Sequence, residues 1–300
     1  MNYELKKAFL IINPNAGTRQ GRRFLPEMIS VFNRADYLCS VYVTEKRGDA
    51  MEFTRIHAAE ADLVVACGGD GTLNEVITGL QQGGHRTPVG YIPCGSTNDF
   101  ANGLGLPTAP LLACESIVSG SLRTLDVGLF GPDRYFSYTA SFGIFTSVSW
   151  STSQNVKNVL GHAAYILEGI RSLADVRPIH MKIDADGQRY EDDFIFGAVC
   201  NSTSLGGVLK LEDSQVHMND GLFEALFIPF PPDIIALNQI LTALRTHHYE
   251  DPSLHFLRAS SFVFEGGSDI TWTLDGEAAE GSHKVEIRNI RNAIRLACSV

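Results

Sequence analysis

The chain predicts an α/β N-terminal domain built on a parallel sheet, followed by an antiparallel β-sandwich domain. Three observations carry this. Short apolar runs alternate with helical periodicity up to residue 120, the pattern of strands joined by crossover helices. Beyond that point the helical period largely gives way to short strand-like runs. Asp186-Gly187 and Asp275-Gly276 then read as hairpin turns, because Asp-Gly tolerates the positive φ angles that a two-residue β-turn requires.

Residues 8–12 read as a strand covered on both faces, with Asn13, Pro14, Asn15, Ala16 and Gly17 as the turn after it. A helix is expected over 22–32, a strand over 38–43, a helix over 49–59 and a strand over 63–67. Gly68, Gly69, Asp70, Gly71 and Thr72 follow and open a helix in which Leu73, Val76, Ile77 and Leu80 form one apolar stripe. Gly83-Gly84 ends it. A fourth strand over 89–92 leads into a second tight turn over 93–100, where Ser96 or Thr97 is expected to cap the next helix. Further strands are expected over 125–130, 135–142, 180–185, 192–200, 222–228, 261–264, 270–274 and 284–287, with helices over 156–173 and 233–244. The domains are therefore expected at 1–120 and 121–292. Residues 293–300, with a strand at 293–297, can return to the first.

The glycine turn is the most informative feature. Three glycines let backbone approach a ligand with no Cβ in the way. The helix behind them offers unpaired N–H groups and a partial positive charge, so phosphate is its natural guest. Asp70 places a carboxylate in the same turn, and a carboxylate beside phosphates calls for a cation such as Mg²⁺. A bare βα turn would ask for none of the polar groups of Asp70, Thr72, Asn74 and Glu75. The turn at 13–17 reads either as ordinary Asn/Gly turn chemistry or as part of a nucleotide site after the first strand. Arg19, Arg22 and Arg23 read as phosphate clamps or as a solvated helix face. Asn219-Asp220-Gly221 and Leu274-Asp275-Gly276-Glu277 read as exposed turns or as functional loops.

The net charge of −10 provides no bulk attraction for nucleic acid. None of the six cysteines forms a C-x-x-C pair, so buried reduced thiols are expected rather than disulfides or zinc. His162, His180, His247, His248 and His283 show no ligand spacing. The N-terminus lacks the apolar core of a signal peptide, and no apolar run approaches the ~20 residues of a membrane span. A cytoplasmic protein that visits a membrane transiently is the expectation. The stretch from Phe227 to Pro232 with Ile234-Ile235 is read as a membrane-facing edge or as core.

With these residues in view, the chain resembles the diacylglycerol kinase catalytic-domain family, in its soluble bacterial branch. The family's G-G-D-G-T-x-N-E is matched by Gly68 to Glu75, its N-P-x-(S/A)-G by Asn13 to Gly17, and its P-x-G-(S/T)-x-N-D-F-A by Pro93 to Ala101. Leu125 to Gly128, Asn219 to Leu222 and Leu274 to Glu277 resemble further signatures, in the same order. G-G-D-G alone is shared with NAD kinases and phosphofructokinases, whose fold the first domain is expected to share.

The resemblance implies an ATP-dependent kinase that phosphorylates a hydroxyl of diacylglycerol or a related lipid alcohol. Another kinase of the fold group, acting on NAD or a sphingoid base, and a nucleotide-binding regulator without turnover stay open. Implied nucleotide contacts are Asn13, Pro14, Asn15, Ala16, Gly17, Thr44, Gly68, Gly69, Asp70, Gly71, Thr72, Leu73, Asn74 and Thr97. Asp70 is expected to hold catalytic Mg²⁺, and Glu277 to accept the hydroxyl proton, so that both domains serve the reaction. A second, structural Mg²⁺ is implied at Asp220 with the carbonyls of His217 and Leu222. The loop at 206–213 departs from the family by lacking a third glycine and a proline. A lipid substrate at a membrane surface and a homodimer are the expected partners.

Overall fold

The computed structural model describes residues 5–17, 19–144, 177–202, 204–205, 209–210 and 217–299. The helix expected over 156–173, and most of the loop at 206–213, lie outside the described residues. The chain divides into two compact units, Met1–Asp126 with Arg291–Val300, and Val127–Ile290.

In the first unit, β1 (Lys6–Ile12) is followed by α1 (Gln20–Arg23) and α2 (Leu25–Arg34). A single helix was expected here. Pro26 breaks it, since a ring without an N–H is accepted in a first turn but not mid-helix, and it stands at the start of α2. Then come β2 (Tyr37–Val43), α3 (Asp49–His57), β3 (Leu63–Gly68), α4 (Asp70–Gln82), β4 (Val89–Pro93), α5 (Asp99–Gly103) and α6 (Pro110–Ser119). α6 is not anticipated by the sequence reading. It starts on Pro110 and buries Ala113, Cys114 and Ile117.

The strands β2, β1, β3 and β4 pair in parallel. β3 and β4 are buried along their whole length, as strands with both faces covered must be. Leu73, Val76, Ile77 and Leu80 of α4 are at most 1% exposed, each contributing about 1.5–3 kcal/mol of apolar burial. The register decides where the turns fall. Ile12 pairs with Val43 and with Cys67, and Cys67 pairs with Ile92. The carboxyl ends of these strands are therefore level, and their following turns lie side by side.

The second unit is antiparallel. It holds the end of β5 (Ser121–Phe130), from Val127 on, then β6 (Arg134–Phe136), β7 (Thr139–Gly143), β8 (Ile179–Ala185), β9 (Gln188–Cys200), β10 (Ser204–Leu205), β11 (Leu209–Lys210) and β12 (Phe223–Pro229). After α7 (Ile234–Arg245) come β13 (His255–Ala259), β14 (Ser261–Gly266), β15 (Thr271–Leu274), β16 (Glu277–Glu280) and β17 (Lys284–Cys298). The order β16-β15-β7-β9-β8-β14-β17 forms its main sheet, with β12 and β13 branching from β9. Both Asp-Gly turns make hairpins with positive φ at each residue, 47° and 91° at Asp186-Gly187 and 49° and 81° at Asp275-Gly276.

Phe136, Phe142, Phe194, Phe223, Phe227 and Trp272 fill one core, and α7 covers a second through Leu237, Ile240 and Leu244. Phe227 and Ile228 are core residues, whereas Ile234 and Ile235 are 62% and 66% exposed. At its far end β17 pairs in parallel with β4, Leu296 opposite Val89, so 293–297 belongs to the first unit's sheet. No helix among the described residues is long and apolar enough to cross a membrane.

Candidate active site

Three turns meet at the carboxyl ends of β1, β3 and β4. Asn13 Nδ2 donates to Thr72 Oγ1 at 3.3 Å, linking the first turn to the glycine turn. Gly17 has φ +47°, and a Cβ there would lie 2.4 Å from the Cys94 carbonyl oxygen. The glycine turn touches the third turn backbone to backbone, since a Cβ on Gly95 would lie 2.7 Å from Gly69 Cα. Side chains are excluded at this junction by contact as well as by conformation.

α4 starts at Asp70 with Gly69 as its N-cap and no side-chain cap. Its first turn thus presents backbone N–H groups at the junction, the arrangement that binds phosphate. Thr44 closes one flank. Its N–H and Oγ1 both donate to the Ile12 carbonyl, at 2.9 and 3.3 Å. Arg22 and Arg23 are exposed, with Arg23 over the Phe24 ring.

The Asp70 carboxylate faces the third turn. Oδ1 accepts from Tyr91 Oη at 3.4 Å and Phe100 N at 3.2 Å, and Oδ2 from Thr97 Oγ1 at 3.4 Å and Asp99 N at 3.0 Å. The N–H groups of Asp99 and Phe100 open α5, so Asp70 caps that helix from outside. The expected cap, Ser96 or Thr97, is not the one used: the N-cap of α5 is Asn98, in the left-handed region at φ 52° with no side-chain cap of its own. Asn98 instead fixes its own turn, accepting from Gly95 N at 2.8 Å. Burial pushes the Asp70 carboxyl above the ordinary carboxylate range, against those N–H groups. Burial and then the Asp70 charge push Asp99 up to about 6.

Glu75 does the same for α3. Its Oε1 accepts from Gly48 N at 2.8 Å and its Oε2 from Ala50 N at 3.1 Å. Sequence reading saw a polar residue at Glu75 without a task, placed Asp99 in the third turn's motif without a role, and gave Tyr91 no site role. The available signals were Gly48-Asp49 opening a helix and Asp99 opening another.

In the second unit, Asp275 is 8% exposed, and its carboxylate accepts from Ser137 N at 2.6 Å and from Tyr138 N and Thr139 N at 3.0 Å each. This pull divides the strand expected over 135–142 into β6 and β7. Glu277, two residues on, is exposed. Asp220 accepts from Leu222 N at 2.9 Å and from Arg258 Nη2 at 2.7 Å. The His217 carbonyl accepts from Asp220 N at 3.3 Å, and the Leu222 carbonyl from Asn289 Nδ2 at 3.3 Å.

The diacylglycerol kinase catalytic domain model matches residues 7–130, and the model of the YegS C-terminal NAD kinase beta sandwich-like domain matches residues 139–298. The diacylglycerol kinase of Staphylococcus saprophyticus is 33% identical over 274 residues, covering 91% of this chain and 89% of that one. That of Bacillus subtilis is 32% identical over 275 residues, covering 91% and 90%. This chain belongs to the diacylglycerol kinase family. A diacylglycerol kinase structure from Bacillus anthracis has a TM-score of 0.75 at 21% identity, covering 99% of this chain and 98% of that one, and at that identity it bears on the fold alone.

Diacylglycerol kinases are lipid phosphotransferases that use ATP. Whether the residues of this family member fit Mg²⁺ differs between the two expected sites. Both oxygens of Asp70 already hold protein donors, the weaker pair being Tyr91 and Thr97 at 3.4 Å. Its negative charge fits a cation that arrives on ATP phosphates. The set at Asp220 does not fit. Its one carboxylate is already paired with the Arg258 guanidinium, a positive charge that would repel a cation. Among the described residues no group of three or more His, Cys, Asp or Glu is arranged to hold a metal ion.

Proposed function

We propose that this diacylglycerol kinase family member transfers the γ-phosphoryl group of ATP to the hydroxyl of diacylglycerol or a closely related lipid alcohol. The observation that supports this most is the junction of the three turns, where Gly69 and Gly95 meet backbone to backbone in front of the uncapped start of α4. In this reading the phosphates lie on the N–H groups of Gly69, Asp70 and Gly71. Asn13 to Gly17, Thr44, Leu73, Asn74 and Thr97 shape the nucleotide's surroundings. Phosphoryl transfer asks mainly for positioning and charge neutralisation, and the turns supply fixed backbone dipoles.

Mg²⁺, entering with ATP, would neutralise charge on the phosphates beside Asp70. Glu277 is the base proposed for the acceptor hydroxyl. Its exposure suits a group that must meet an incoming substrate. The exposed Ile234 and Ile235 at the start of α7 are proposed to touch the membrane surface, where the lipid is found. ATP is cytosolic, which favours that side of the membrane.

The test is transfer from radiolabelled ATP to a panel of diacylglycerol, phosphatidylglycerol, ceramide, sphingoid base and NAD, with the product identified by mass. Labelled phosphatidic acid is expected. Labelling of NAD or of a sphingoid base alone would move the chain to a neighbouring activity. No labelled product, with ATP still bound, would support the regulator.

A further inference from the structure

Arg258 on β13 stands opposite Glu224 on β12 in the register of the two strands. Its Nε donates to Glu224 Oε1 at 3.1 Å and its Nη2 to Asp220 Oδ2 at 2.7 Å. The Glu224 side chain is 1% exposed. A carboxylate so deep in a sheet requires a fixed positive partner, and Arg258 supplies it while reaching on to the Asp220 turn. A planar fork suits this task better than a point charge, because its two N–H directions engage two carboxylates at once.

The same contacts close the corner to a metal. A hard divalent cation needs several oxygen ligands turned toward one point. Here Asp220 Oδ1 is turned to its own Leu222 N–H, the His217 carbonyl to Asp220 N, and the Leu222 carbonyl to Asn289 Nδ2. The remaining oxygen, Asp220 Oδ2, faces a positive charge that would repel a cation.

We propose that Arg258 is a built-in cation. It neutralises Glu224 and pins the Asp220 turn, the task that the family resemblance implies for a structural Mg²⁺, and His217, Asp220 and Leu222 form no metal site in this chain. The inference stands independently of the lipid-kinase reading, since its test uses neither ATP nor lipid.

Mn²⁺ serves as the probe, in nucleotide-free protein. Wild-type crystals soaked in Mn²⁺ are expected to show no anomalous peak at the Asp220 carboxylate. By electron paramagnetic resonance, wild type and Asp220→Asn are expected to bind the same number of Mn²⁺ ions. The wild-type Tm should be the same in Mg²⁺ and in chelator, while Arg258→Met should melt several degrees lower and regain part of that loss in Mg²⁺. An anomalous peak at Asp220 in wild type, or an Mn²⁺ ion bound by wild type and lost in Asp220→Asn, overturns the proposal. Should Arg258→Met fail to fold, the wild-type and Asp220→Asn comparison decides alone.

Discussion

Asp70 and Glu75, both on α4, each cap a different neighbouring helix: Asp70 takes the first N–H groups of α5, and Glu75 those of α3. One helix thus fixes the starts of two others around the glycine turn. The acids of this motif organise the site's frame as well as its charge.

Glu75→Ala leaves the N–H groups of Gly48 and Ala50 without their acceptor. A stability loss of about 1–2 kcal/mol is expected, as for other lost helix caps. Hydrogen exchange should quicken at the start of α3, and ATP affinity should fall because Thr44 lies on the adjoining segment. Unchanged exchange over residues 46–52 would contradict this role. Glu75→Gln, which keeps an acceptor oxygen, should fall between wild type and Glu75→Ala.

The junction of Gly69 and Gly95 is asymmetric. A Cβ on Gly95 would strike Gly69 Cα at 2.7 Å, whereas a Cβ on Gly69 would find Gly95 Cα at 3.3 Å. Gly95→Ala should therefore weaken ATP binding at least tenfold, and Gly69→Ala less. Isothermal titration of both variants checks the order, and equal affinities would argue against a close-packed junction.

Asp99 has its pKa raised from 3.8 to about 6 by burial and the Asp70 charge. The folded state then holds a proton that the unfolded chain has released, so stability falls as pH rises from about 4 to 6. Asp99→Asn removes that loss. It should raise the Tm at pH 7.5, by the equivalent of about 1–3 kcal/mol, and leave it nearly unchanged at pH 4. Thermal melts of the nucleotide-free protein across that range check the sign, and a Tm gain present equally at pH 4 would refute it.

Asp275 and Glu277 should separate cleanly. Asp275→Ala strands the N–H groups of Ser137, Tyr138 and Thr139, with an expected cost of about 2–5 kcal/mol. Glu277→Gln, at an exposed position, should keep the wild-type Tm and ATP affinity yet lose phosphoryl transfer by a hundredfold or more, the scale of general-base catalysis. Full activity in Glu277→Gln would remove it from the mechanism.

The fold class was legible because periodicity and turn chemistry agree along the chain. Leu73, Val76, Ile77 and Leu80 all proved buried, and both Asp-Gly pairs make hairpins. The three turns were legible as turns, and their meeting follows from a register that places Ile12, Cys67 and Ile92 level. Partners distant in sequence were not legible. Nothing near Asp70 announces the Asp99 and Phe100 N–H groups, and nothing near Asp220 announces Arg258. The break at Pro26 was a local signal outweighed by the apolar run around it. The strands β13 and β16 were missed because they are weakly patterned, each burying a single residue.

The most direct measurement of the central claim is a crystal structure with a non-hydrolysable ATP analogue and Mg²⁺. The phosphates are expected on the N–H groups of Gly69, Asp70 and Gly71, between Asn13 and Thr97. Phosphates bound elsewhere, with the three turns unchanged and empty, would contradict it.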